Sequence, residues 1–187
     1  MTVVTTNPSG TAEHAFDLSG GRPCLDFVNT VSGDRHGEAK ERLGGYGDLL
    51  AWARQSGAID AAHARRLLAE SRRRPEHARA AFAAALELRE ALFRVFSETA
   101  EGREPAAGDL AFLSRALGRA LAHRRLVRAA EGWALGWEDP PDALDAPLWR
   151  VAASAAEVLT DRETLERVRV CGLHDTRECS WVFLDTT

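Results

Sequence analysis

"EHARAAFAAALELREALFRVFSETAEG", residues 76–102, decides the fold class. Phe82, Leu86, Arg89, Phe93 and Phe96 recur in steps of four and three, which puts them on one side of a 3.6-residue helix. Gly102 closes the run. One member is wrong for a core: Arg89 stands in the middle of the apolar stripe.

The same helical reading extends outward in both directions. Upstream, "YGDLLAWARQSGAID" (46–60) sets Leu49, Leu50 and Trp52 inward, with Asp48 in the first turn and Gly57 as the stop. Asp60 caps the next helix, which runs to the "RRRP" break at 72–75. Downstream, Asp109 is expected to cap "LAFLSRALGRALA", and "LWRVAASAAEVLTD" (148–161) is a further helix with Leu148, Val151, Ala155 and Leu159 on one side. Between these two, "HRRLVRAAEGWALGWED" (123–139) changes period. Trp133, Leu135 and Trp137 alternate, and Glu131-Gly132 reads as a two-residue hairpin turn.

The two ends are less regular. "HAFDLSGG" (14–21) reads as a short strand and tight turn, and "RPCLDFVNTVSG" (22–33) as a helix from Pro23 to a stop at Gly33. "DRHGEAKERLGG" (34–45) reads as a polar loop, and "LERVRVC" and "WVFLD" as short strands around the final loop. The fold class is therefore α+β, a mostly helical domain with a few short strands including a β-hairpin. Residues 1–15 read as a disordered leader, 16–163 as the helical domain and 164–187 as a small C-terminal appendage.

Composition narrows the function. Of 187 residues, 45% are hydrophobic and 28% charged, the balance of a folded chain. The net charge of −4 argues against a generally basic nucleic-acid-binding surface. The longest apolar run, "AFAAAL" at 81–86, is far too short to cross a bilayer, and the N-terminus lacks an export signal. Three cysteines without framework spacing fit a reducing, cytoplasmic setting with no membrane partner.

The terminal "CGLHDTREC" (171–179) carries the chemistry worth weighing. Cys171, His174 and Cys179 are zinc-type donors, but a structural site takes four ligands, and three close in sequence leave the set unfinished. The competing reading is a hairpin loop that carries two thiols. Elsewhere, Arg89 demands a counter-charge, because a buried unpaired cation costs several kcal/mol. Asp26, beside Leu25, Phe27 and Val28 on a short inward-facing helix, is the expected partner, with Asn29 sharing the contact; the competing reading has Arg89 snorkel past its neighbours to the surface. Arg22, Asp26, Asn29 and Arg89 together make a buried polar network or a ligand pocket. The pocket version is the alternative function, a small-molecule-binding domain. No nucleophile or acid/base pair stands out, so an enzyme is not expected. An exposed "WVFLD" strand would offer an edge for a homodimer.

Six blocks in order are familiar: "FDLSGGRPCLDFVNTV" (16–31), "YGDLLAWARQSGAI" (46–59), "LREALFRVF" (88–96), "GWALGW" (132–137), "VAASAAEVL" (151–159) and "CSWVFLDTT" (179–187). They resemble the bacterial CGNR zinc-finger family, whose N-terminal part is the ABATE domain. The resemblance implies a stress-responsive transcription regulator, with a sensor domain followed by a small zinc finger that binds DNA. In that family the segment matching 179–187 continues through a WC dipeptide and the C-G-N-R motif into a basic tail. The expectation is thus that 164–187 is the first half of a zinc-finger module, with an incomplete ligand set and weak or absent DNA binding in this chain. Family knuckles separate the two cysteines by four residues. Counting back from Cys179 selects His174 as first ligand, and matching the strand "RVRVC" selects Cys171. The resemblance also leaves room for a small-molecule effector.

Overall fold

A computed structural model describes residues 15–35, 39–171 and 179–186. In place of the expected first strand, the described residues 15–18 form neither strand nor helix. Phe16 is held by a side chain instead: its N–H donates to Gln55 Oε1 at 2.8 Å, and its carbonyl accepts from Gln55 Nε2 at 2.6 Å. A turn through Gly21, whose φ of +84° suits glycine, leads into α1 (Pro23–Val28). Pro23 opens α1 where a missing N–H costs nothing. The helix ends at Asn29, short of the expected stop at Gly33. Beyond it, β1 (Val31–Gly33) pairs antiparallel with β2 (Ala39–Glu41), Ser32 facing Lys40. The expected polar loop therefore contains a strand, and the bond from Arg42 N–H to Thr30 O (2.9 Å) prolongs the pairing.

The next helices are α2 (Tyr46–Gln55), α3 (Ala61–Arg73), α4 (Pro75–Ala100) and α5 (Ala107–Ala122). In α2, Leu49, Leu50 and Trp52 are buried as expected. Asp60 caps α3, its Oδ1 accepting from His63 N–H at 2.7 Å. Asp109 is not a cap. It sits inside the first turn of α5, and both its oxygens accept from Arg94, at 2.6 and 2.8 Å.

α4 is the hub, packing against α1, α2, α3, α5 and α6. Its buried face runs Ala78, Ala81, Ala85, Leu88, Leu92 and Val95, and takes in Arg89 and Phe96. The bulky stripe of Phe82, Leu86 and Phe93 is only half-buried along one edge. Alanines let neighbouring helices approach closely, so the small residues occupy the centre of the contact.

β3 (Arg124–Ala129) and β4 (Gly132–Trp137) form the central hairpin, with Ala129 opposite Gly132. The turn is therefore Ala130-Glu131, one residue earlier than the sequence reading placed it. Much of this hairpin is bare: Leu126 is 72% exposed and Trp133 68%. α6 (Ala146–Thr160) packs on α1 and α5, and a single turn, α7 (Arg162–Leu165), follows.

The last pair, β5 (Val168–Val170) and β6 (Val182–Leu184), is antiparallel with Val170 opposite Val182. Val168 and Val182 are buried within the main core cluster, alongside Leu25, Phe27, Trp52, Leu92 and Phe96. The described part of the appendage is therefore packed into the helical domain. Among the described residues, helices joined by three two-stranded antiparallel hairpins make the fold α+β.

Candidate functional site

Arg89 is 3% exposed and fully engaged, but not by Asp26. Its Nη1 and Nη2 donate to Glu41 Oε1 and Oε2 at 2.7 and 2.6 Å, a bidentate fork, and Nη1 also reaches Thr30 Oγ1 at 3.1 Å. Nε donates to Glu90 Oε1 at 3.0 Å, and Glu90 in turn accepts from Arg35 Nη1 at 2.6 Å. Partial burial would raise the Glu41 carboxyl, yet the Arg89 hydrogen bonds hold it below the ordinary glutamate range. The expected Arg89–Asp26 pair is thus replaced by one whose carboxylate comes from β2, a strand inside the stretch expected to be a polar loop.

Asp26 is buried on α1 and faces the preceding turn, accepting from Gly20 N–H at 2.8 Å. Burial raises its carboxyl to about 6, with the Gly20 bond acting the other way. A Cβ on Gly20 would lie 2.9 Å from Asp26 Oδ1 and 3.0 Å from the backbone of α1, so only glycine lets this turn close.

Asn29 also acts on backbone. Its Nδ2 donates to Val182 O at 2.9 Å and its Oδ1 accepts from Val182 N–H at 3.0 Å, so the carboxamide pairs with β6 as a neighbouring strand would. Leu184 N–H donates to Gly20 O at 3.0 Å, and Ser180 N–H to Gly33 O at 3.1 Å. The expected free edge on "WVFLD" is therefore occupied.

This seating brings the late thiols together. Cys171 N–H donates to Trp181 O at 2.7 Å, and the half-buried Cys179 thiol lies near enough to that of Cys171 to feel its charge. Burial first, and then the neighbouring Cys171, raise the Cys179 thiol above its ordinary value. His174 lies outside the described residues, and among those described no group of three or more His, Cys, Asp or Glu could hold a metal. Two adjacent, partly accessible thiols fit half of a tetrahedral zinc set. Cys24 is different: it is wholly buried, and burial pushes its thiol up to about 12.

Neither of the two clefts described is lined by Asp26 or Arg89. Asn29 borders the smaller, about 230 Å³, beside Phe16, Thr30 and Trp181. Arg22 borders the larger, about 390 Å³, which opens between the start of α1, the entry to α3, the open end of the β3–β4 hairpin and α6. Its floor is a second charged cluster. Arg150 Nη2 donates to Asp139 Oδ1, while Asp139 Oδ2 faces His63 Nδ1 at 3.6 Å. Arg124 and Arg150 hold their guanidinium carbons 4.5 and 4.7 Å from the centre of the Trp137 ring. His63 is 2% exposed, and burial pushes its pKa down against the pull of Asp139, so it is neutral at pH 7. His63 Nε2 and Arg150 Nε are buried without a hydrogen-bond partner among the described residues. The sequence reading found only Arg22 of this group. The alternation of Arg124 and Arg128 against Trp137 and Trp133 across the hairpin was the one signal available.

The class of protein now follows. A family model described as "ABATE: Putative stress-induced transcription regulator" matches residues 21–162, from the turn before α1 to the start of α7. The chain belongs to that family, whose description is regulatory. Comparison with curated proteins and with solved structures returned no match. Among the described residues, no helix is long and apolar enough to cross a membrane.

Proposed function

We propose that this chain is the regulatory part of a transcription factor whose DNA-binding module begins at β5 and is organised by zinc. The helical domain holds the base of that module, and Cys171 and Cys179 supply two of the four zinc ligands. His174 is the substitute first ligand should Cys171 not bind. The observation that carries this reading is that Cys171 and Cys179 flank the loop end of β5–β6, closed there by the bond from Cys171 N–H to Trp181 O, on a hairpin anchored to α1 by the Asn29 carboxamide. Zinc bound there would draw both sulfurs into the thiolate form and tie the loop between them. DNA contact would come from basic residues of the completed module, since the 187 residues carry a net charge of −4.

The test is metal content of the full-length protein purified under reducing conditions. One zinc per chain is expected, lost in the Cys171→Ser/Cys179→Ser double variant together with salt-dependent DNA binding. Full zinc retention by the double variant sinks the ligand assignment. Loss of zinc with unchanged DNA affinity sinks the link between the module and DNA.

A further inference from the structure

We propose that the larger cleft binds a small organic oxyanion, a carboxylate or phosphate carried on an apolar body, with Arg22 and Arg124 as its charge partners. The inference rests on the regulatory reading of the helical domain and names the chemistry of its effector.

The charge balance of the cleft singles out these two arginines. Asp139 is already shared between Arg150 and His63, and Asp60 is engaged as the cap of α3. Glu157 stands at the exposed rim. Among the described residues, neither Arg22 nor Arg124 has a carboxylate within ion-pair distance. The Arg22 contact is a single bond from Nη1 to Gly21 O at 3.1 Å, and Arg124 rests on Trp137. A guanidinium stacked on an aromatic ring keeps its N–H fork pointing outward, in the geometry that takes an oxyanion by two parallel bonds.

The rest of the wall suits the remainder of such a molecule. Pro23, Ile59 and Trp137 supply apolar surface, and about 390 Å³ is the size of a metabolite site, not of a macromolecular groove. The floor supports the arginines as well as the ligand. Asp139 holds Arg150 and faces His63, two groups that each keep one buried nitrogen unpartnered among the described residues. Such orphans are uncommon in native proteins, and each asks for an explanation beyond packing.

Three probes separate the parts: benzoate, phenyl phosphate and neutral benzamide, titrated by calorimetry into the full-length protein. Benzoate or phenyl phosphate binds at millimolar concentration or below, and the stronger of the two identifies the oxyanion. Benzamide binds at least about tenfold more weakly, because it lacks the charge. Arg124→Ala weakens the anion by at least about tenfold with its melting temperature unchanged. Arg125→Ala, whose partner is Glu138 outside the cleft lining, leaves affinity intact. No anion binding up to about 10 mM overturns the proposal, as does equal binding of benzamide or an Arg124→Ala variant that binds normally. Zinc content measured on the same samples keeps this outcome apart from failure of the metal assignment.

Discussion

Among the described residues two arginine clusters, around Arg89 and Arg150, are built to different standards. On Arg89 itself every guanidinium nitrogen is used: Glu41 takes two, Thr30 shares one and Glu90 takes the third, and the orphan beside it is Nε of Arg35, which shares Glu90. Around Arg150, one carboxylate serves both an arginine and a histidine, while Arg150 Nε and His63 Nε2 have no partner among the described residues. A saturated guanidinium has nothing left to offer a ligand and serves the fold. An unsaturated one carries a cost of about 1–3 kcal/mol per orphan until something else completes it. The first lies under the β1–β2 hairpin, and the second opens into a cleft.

The contrast is sharpest in mutational cost. Arg89→Ala is expected to destabilise the protein by about 3 kcal/mol in urea denaturation, since it strands Thr30 and Glu41 and leaves a cavity. A cost near zero would show that the saturated cluster is dispensable. Asn29→Ala removes both bonds to Val182 and is expected to cost about 2 kcal/mol, with faster hydrogen exchange at the Val182 amide.

Asp26 stands between the two standards, buried with a backbone bond from Gly20. Its folded-state pKa of about 6 lies above its ordinary value of 3.8, so folding favours the protonated form. The stability it contributes is complete below about pH 4 and is lost as pH rises through 6. Asp26→Asn should therefore flatten the decline between pH 4 and 7 and stabilise the protein at pH 8 by about 1–2 kcal/mol. An unchanged pH profile would remove Asp26 as its source. The smallest effect is expected at the unsaturated cluster. His63→Leu should change stability by less than about 1 kcal/mol, because it deletes an orphan nitrogen along with the contact to Asp139. If it costs as much as Arg89→Ala, the two clusters are alike and the contrast fails.

What the sequence disclosed follows the range of each interaction. α2, α3 and the β3–β4 hairpin are written in local period and in caps such as Asp60, so they were legible. The packed face of α4 was misjudged because it is lined by alanines, which carry little weight in a hydrophobic pattern yet set the closest approach. The partner of Arg89 was missed because Glu41 lies on a three-residue strand inside a glycine-rich polar stretch, where no periodicity shows. The cleft was illegible for a plainer reason: Arg22, His63, Arg124 and Arg150 come from four separate elements, and only the fold brings them together. The thiols were nameable from spacing and resemblance, but their nearness depends on the seating of β6 against Asn29.

α1 is six residues long, about 9 Å from end to end, and too short to bend. Arg22 and Pro23 at its front border the cleft, and Asn29 at its back clasps the strand that follows Cys179. The two ends of one stiff peg thus touch the place where a metabolite would dock and the root of the hairpin proposed to hold zinc. A rotation of that peg by a few degrees would be felt at both, with no relay of intervening side chains required.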